Sequence, residues 1–177
     1  MNKLILSKIE RENLLNHCFR KLDKDYLESE TKEQKAYGLV SGTFHEEYVA
    51  VNSIIPLYKN TRTSKEEKEN MDNLMNKFAI PSETPLDKRG WVADPLELMS
   101  AINRCKQEKS ELIGTYHMHR VSWEHDKLRD TPTVIDEELA KNTGLIMIII
   151  SVVDRENPII RAFYEGDIKK EIPIIFQ

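Results

Sequence analysis

The stretch Glu111 to Asp136, ELIGTYHMHRVSWEHDKLRDTPTVID, limits what this chain can become more than any other. An apolar segment, Leu112 to Tyr116, runs directly into His117 and His119. Alternate residues of a strand share a face, so the two imidazoles project together. A polar loop follows, and Thr131-Pro132-Thr133 reads as a helix start with Pro132 at the first helical position. Asp136 then falls on the first turns of that helix. Two imidazoles and a carboxylate converging from a strand end and a helix start form the ligand set of a catalytic zinc with a fourth position open to water. Other divalent ions accept such a set, although it suits zinc best.

The segments around this stretch interleave helices and strands. Ser7 and Glu10 form a capping box before a helix over 8–24, with Ile9, Leu15, Cys18, Phe19 and Leu22 as its apolar stripe. A strand over 37–42 and a second over 47–57, joined at Thr43 to Glu46, predict a hairpin. Residues 60–90 read as a long insertion with a short helix: Ser64 and Glu67 repeat the capping-box pattern, and Met71, Leu74, Met75 and Phe78 recur at helical spacing. That stripe is read as core or lid packing. Long segments of this kind serve as lids or binding elements, or stay unstructured. Asp94-Pro95-Leu96-Glu97 starts another helix, with Leu98, Ala101, Ile102 and Cys105 on its inner face. Ile135 and Leu139 are the apolar positions of the helix after Thr133, and Gly144 marks its stop. Leu145 to Val153 reads as a central strand covered on both faces, Ile159 to Tyr164 as the next, and Glu171 to Phe176 as a last strand confined to an edge by Pro173. The expectation is one α/β domain (α+β type) over 1–177, a mixed sheet with helices packed against it.

With 177 residues the chain is long enough for one real core. A net charge of -4 without any dense basic stripe gives no footprint for nucleic acid. The longest apolar run is too short to span a bilayer, so no membrane association is expected. Cys18 and Cys105 fall at apolar-periodic positions and read as buried free thiols, which suits a reducing compartment. With no signal-peptide pattern at the start, the expected location is cytoplasmic.

The order strand, His-x-His, loop, Thr-x-x-Asp, helix resembles the JAMM motif of the JAB/MPN family of zinc metallopeptidases. The likeness extends to Gly38-Leu39-Val40-Ser41-Gly42, to Asn60 after the second strand, to Trp91-Val92-Ala93-Asp94-Pro95, and to Leu112-Ile113-Gly114-Thr115-Tyr116 before the histidines. It implies a mainly antiparallel, curved sheet flanked by helices, of the cytidine-deaminase-like MPN/JAB type. It also implies Zn2+ on His117, His119 and Asp136, and hydrolysis of a peptide or isopeptide bond. The substrate would be the C-terminal tail of a ubiquitin-like or sulfur-carrier protein, entering by pairing with a sheet edge.

The chain departs from the family pattern at four places. Lys35 stands where the family has its catalytic glutamate, and Arg120 stands where a proline commonly follows the second histidine. Thr133 replaces a serine that donates to the oxyanion; its hydroxyl can do the same or can cap the helix. The loop from His119 to Thr133 is longer than usual and carries Trp123, Glu124, His125, Asp126 and Asp130. Losing a general base costs about 100- to 10,000-fold in rate. Glu33 is the first substitute for it and Glu124 the second. His125 and Asp126 are an extra ligand pair or an exposed loop, and Trp123 is a site cover or a core contact. A site with no substitute base binds metal and turns over poorly, or the domain serves as a protein-interaction module. A zinc hydrolase of small amides is a third and more distant reading.

Overall fold

The computed structural model describes residues 3–81 and 84–177; residues 82 and 83 of the expected insertion lie outside the described residues. Eight strands in the order β7-β6-β5-β4-β2-β3-β1-β8 form one mixed sheet, and four α-helices lie with it. The strands are β1 (Leu4–Leu6), β2 (Tyr37–Phe44), β3 (Val49–Leu57), β4 (Glu111–His119), β5 (Ile146–Ser151), β6 (Ile159–Tyr164), β7 (Glu171–Ile172) and β8 (Ile174–Phe176). The helices are α1 (Lys8–Leu22), α2 (Lys65–Phe78), α3 (Pro95–Gln107) and α4 (Val134–Ala140). Among the described residues no helix is long and apolar enough to cross a membrane.

The hairpin β2–β3 and the central β5 form as the alternation predicts. Every residue of β5 is buried, Ile148 and Ile150 under the α1 side of the sheet and Met147 and Ile149 on the other side with Ala140 and Phe163. Gly38 and Gly114 mark close approaches between strands: a Cβ at either would lie 2.3 Å from a neighbouring strand's carbonyl oxygen, Ile55 O or Ile146 O. Cys18 and Cys105 are buried and free, in separate core clusters.

Four expectations need correction. Helix α1 buries Leu14, Leu15, His17, Cys18 and Lys21, while Ile9 is 68% exposed. Nine residues separate Ile9 from Cys18, which is two and a half turns, so the two face opposite ways. Thr133 is the N-cap of α4, placing Pro132 just outside the helix, and α4 ends at Ala140 with Lys141 as its C-cap, before Gly144. This short helix buries Ile135 but leaves Leu139 48% exposed. The Ser64 side chain makes no cap hydrogen bond to α2.

The fourth correction concerns the end of the chain, where one edge strand was expected over 171–176. Pro173 divides it instead. β7 pairs with β6 at one margin of the sheet, and β8 pairs in parallel with β1 at the other. Because one residue separates β7 from β8, the sheet curls until its two margins meet at Pro173, whose carbonyl accepts from Leu4 N at 2.8 Å. A proline supplies no N–H to a ladder, so it suits the seam between two margins. Strand β1 was not anticipated; three residues are too few to show a period, and partners on both sides hold it in place.

Candidate metal centre

His117 and His119 lie on one face of β4, held by neighbours on both sides: Tyr37 of β2 and Ile149 of β5 flank His117 in register. Both are buried, at 7% and 8% exposure. Asp136 arrives from the first turn of α4, where a capping box fixes it. Thr133 N and Thr133 Oγ1 each donate to Asp136 Oδ2 at 2.7 Å, and Asp136 N donates back to Thr133 Oγ1 at 3.3 Å. The carboxylate therefore sits rigidly at a helix start and faces both imidazoles.

The donor atoms converge. His117 Nε2 lies 3.1 Å from His119 Nε2 and 3.3 Å from Asp136 Oδ1, and His119 Nε2 lies 3.8 Å from Asp136 Oδ2. Tetrahedral coordination with bonds of about 2.0–2.1 Å requires ligand atoms roughly 3.3–3.4 Å apart, so the three positions are close to such a shell. His119 Nδ1 lies 2.8 Å from the Arg129 carbonyl. A carbonyl only accepts, which assigns the proton to Nδ1 and leaves the Nε2 lone pair facing the centre. Burial, then the neighbouring His117, pushes the His119 pKa down to about 3. Burial by itself would raise the Asp136 carboxyl, but His117, His119 and the Thr133 backbone outweigh it and hold the group well below the ordinary carboxylate range. A neutral imidazole beside a carboxylate is the protonation state a cation needs.

The loop over 120–132 supports this arrangement from behind. Arg129 is buried in a left-handed backbone conformation (φ 53°), and its guanidinium lies 3.4 Å over the Trp123 ring. Asp126 accepts from Arg129 N at 2.8 Å, and Ser151 Oγ donates to the Leu128 carbonyl. Trp91 stands on the opposite side, its ring centroid 6.4 Å from that of His117 and stacked on Tyr37 at 4.3 Å. The three ligand residues open into a cavity of about 570 Å³ whose far wall is α2.

The other expected residues are placed as follows. Glu33 is not at the cavity: its carboxylate accepts from Asn60 Nδ2 at 2.7 Å and pairs with Lys35 Nζ at 2.9 Å. Lys35 does line the cavity, and its ammonium also donates to the Gly90 carbonyl at 2.8 Å. Glu124 and His125 are exposed and stand outside the ligand group, and Asp126 is engaged with Arg129. Asp130 pairs with Arg161 at 3.1 Å. The single proton of the Thr133 hydroxyl is given to Asp136, so the cap consumes the donor expected for an oxyanion. Asn60 ties the insertion to the body: its Oδ1 accepts from Arg62 N and Val92 N while its amide donates to Glu33. Sequence reasoning missed Arg129, whose backbone carbonyl leaves no compositional trace, and Glu67 of α2, which with Asp136 supplies the carboxylates lining the cavity among the described residues.

Fold and site together define a mixed α/β protein with a prospective His–His–Asp cation centre at a strand–helix junction. No family model matches the chain, and no curated protein matches it. The chain is similar in fold to the solution structure of protein DSY2949 from Desulfitobacterium hafniense, with a TM-score of 0.64 at 21% identity over 98% of this chain and 92% of that one.

Proposed function

We propose that this chain is a zinc metallopeptidase of the JAB/MPN (JAMM) type, with the cytidine-deaminase-like fold of that family, that hydrolyses a peptide or isopeptide bond. The observation that carries this reading is the convergence of His117, His119 and Asp136 on one point, their donor atoms all within 4.8 Å of one another. The proposed substrate is the C-terminal tail of a ubiquitin-like or sulfur-carrier protein, met in the cytoplasm; neither nucleic acid nor membrane is a proposed partner. The seam-closed sheet and the strand–helix origin of the ligands support it.

His117, His119 and Asp136 would hold the ion. Zinc supplies a water acidified toward neutrality and polarises a carbonyl. The chain's own contribution is preparation. The Arg129 carbonyl keeps the His119 lone pair turned inward, the Thr133 cap keeps Asp136 aimed, and Trp91 and Trp123 line the cavity beside it. The test is metal analysis of purified protein with cleavage of ubiquitin-like fusions. Wild type takes up one zinc per chain and cleaves; His119→Ala loses the zinc and Asp136→Ala loses the activity. Wild type that stays free of zinc after reconstitution refutes the proposal.

A second reading rests on a specific observation: Lys35 occupies the position of the family's base, and Glu33 is committed to Asn60 and Lys35. In this reading the domain is a catalytically weak or inactive MPN-like interaction module. Glu67→Gln and Asp136→Ala separate the two readings: cleavage abolished by Asp136→Ala eliminates the inactive module, and cleavage lost in Glu67→Gln with zinc still bound points to the proton acceptor.

A further inference from the structure

The wall of the cavity opposite the histidines is not explained by metal binding. Helix α2 turns Met71 and Met75 inward against Ile135, the residue before Asp136, and presents Leu74 and Phe78 half-buried along the same cavity. Across the same cavity, Val121 at 41% exposure and Leu139 at 48% leave apolar surface uncovered among the described residues. At about 570 Å³ the space is that of a ligand pocket, wide enough for more than a bare backbone. Methionine adds to this, since its unbranched side chain repacks around ligands of different shape.

The sheet offers little to an extended backbone at this point. His117 is paired in register with β2 on one side and β5 on the other, and His119 with β5, so a peptide cannot add a strand to β4 beside the paired histidine. Recognition close to the reacting bond must then come from side chains seated on apolar walls. A segment made of glycines brings no side chain to those walls.

We infer that the cavity selects a peptide with a bulky aliphatic or aromatic side chain beside the scissile bond, seated between Leu74 and Phe78 of α2 and Val121 and Leu139 opposite. This rests on the metallopeptidase reading and goes beyond its substrate class: a tail without such a side chain beside the bond is not the favoured occupant. Burying one such side chain favours it over glycine by at least about 10-fold, and on the order of 100-fold when burial is complete.

The chain's two tryptophans, Trp91 and Trp123, both line this cavity, which makes intrinsic fluorescence a local reporter that needs no turnover. Two blocked hexapeptides, alike except for Leu-Phe or Gly-Gly as the central pair, are titrated into the full-length protein, metal-free and zinc-loaded, and cleavage of the same peptides is followed by mass spectrometry. The Leu-Phe peptide is expected to bind at least 10-fold more tightly in both forms and to be the better substrate. Leu74→Asp is expected to erase that preference while keeping the zinc-induced rise in melting temperature; Phe78→Ser serves as a second variant should Leu74→Asp misfold. Equal or better binding of the Gly-Gly peptide overturns this inference and leaves the metallopeptidase reading in place. Cleavage of neither peptide, together with failure to take up zinc, refutes that reading itself.

Discussion

Asp136→Asn isolates the carboxylate's charge from its structural role. The amide is nearly the same shape, and its oxygen can still accept from Thr133 N, so the cap of α4 is retained in large part. What disappears is the anionic ligand 3.3 Å from His117 Nε2. An ion that binds only the folded protein stabilises it by about 2.7 kcal/mol at a free concentration 100 times its Kd. For a chain of this length each kcal/mol moves the melting temperature by about 2–4 °C, so zinc raises the wild-type Tm by roughly 5–11 °C. Losing a residue that merely supports a ligand costs about 10- to 100-fold in metal affinity, and losing the ligand costs at least as much. A 100-fold weaker Kd leaves about 0.4 kcal/mol at the same zinc concentration, or roughly 1 °C. Thermal unfolding of both proteins, in EDTA and then in zinc, reads this directly. The metal-free melting point should fall in the variant, which loses the charge that His117, His119 and Thr133 stabilise, and the zinc-induced rise above it should collapse. An equal rise in both proteins, or none in wild type, refutes the assignment of Asp136 as a ligand.

Three further outcomes are expected. Thr133→Val removes both the acceptor for Asp136 N and the donor to its carboxylate; urea unfolding should show a loss of about 1 kcal/mol, and calorimetric titration a zinc affinity about 10- to 100-fold lower, with Thr133→Ser restoring both. Lys35→Glu, combined with Glu33→Gln to remove the new repulsion, puts a carboxylate into the cavity. Cleavage should rise by about 100- to 10,000-fold with zinc affinity unchanged, and an unaltered rate would show that Lys35 does not limit turnover. His17, buried with its Nδ1 2.8 Å from the Tyr116 hydroxyl, is pushed by burial from 6.5 down to about 4. The unfolded chain therefore takes up that proton first as the pH falls, and stability complete above pH 6.5 is lost toward pH 4. This amounts to about 2 kcal/mol between pH 7 and pH 5 for His17 alone. His119 acts in the same direction, so the difference between wild type and His17→Gln isolates His17; identical pH slopes in urea unfolding would contradict it.

The parts of this molecule that could be read in the sequence are those whose cause is local. β4 and β5 announce themselves as apolar strands, and the Asp94 cap appears as written, with Leu96 N and Glu97 N donating to its carboxylate. The convergence of His117, His119 and Asp136 was legible for the same reason: one strand period and one helix cap bring the three residues together. Where the cause is distant, the sequence is silent. Nothing near Pro173 reveals that its two flanks pair with opposite margins of the sheet, because the partners are β6 and β1, more than a hundred residues apart in the chain. The polar residues His17 and Lys21 share the buried face of α1 with the expected Leu15 and Cys18 because Tyr116 and Glu30 receive them. α2 was legible as a helix, but its place beside the His–His–Asp group depends on Asn60, Arg62 and Gly90, which fold the insertion back.

The same contacts show which parts of the molecule hold the His–His–Asp group and which hold Lys35. A cation centre needs donors that are rigid and correctly protonated, and these come from β4, the α4 cap and the 120–132 loop. The segment before β2 supplies none of those donors, although its Ala36 carbonyl accepts from Met118 N at 2.9 Å. It is fastened instead by Arg20 and Lys21 of α1 gripping Glu30, by Lys21 donating to the Thr31 carbonyl, and by Asn60 holding Glu33. Within that clamp Lys35 bridges Glu33 to the Gly90 carbonyl, where the insertion turns with a left-handed glycine (φ 70°) against Met75. A glutamate at position 35 would repel Glu33 and leave the Gly90 carbonyl without this donor. The lysine thus joins the segment entering β2 to the insertion that walls the cavity, at the position where the resemblance leads one to expect a base. On the proposed reading, the three candidate ligands and the position of the expected base are held by largely different contacts, so one can change while the other is kept.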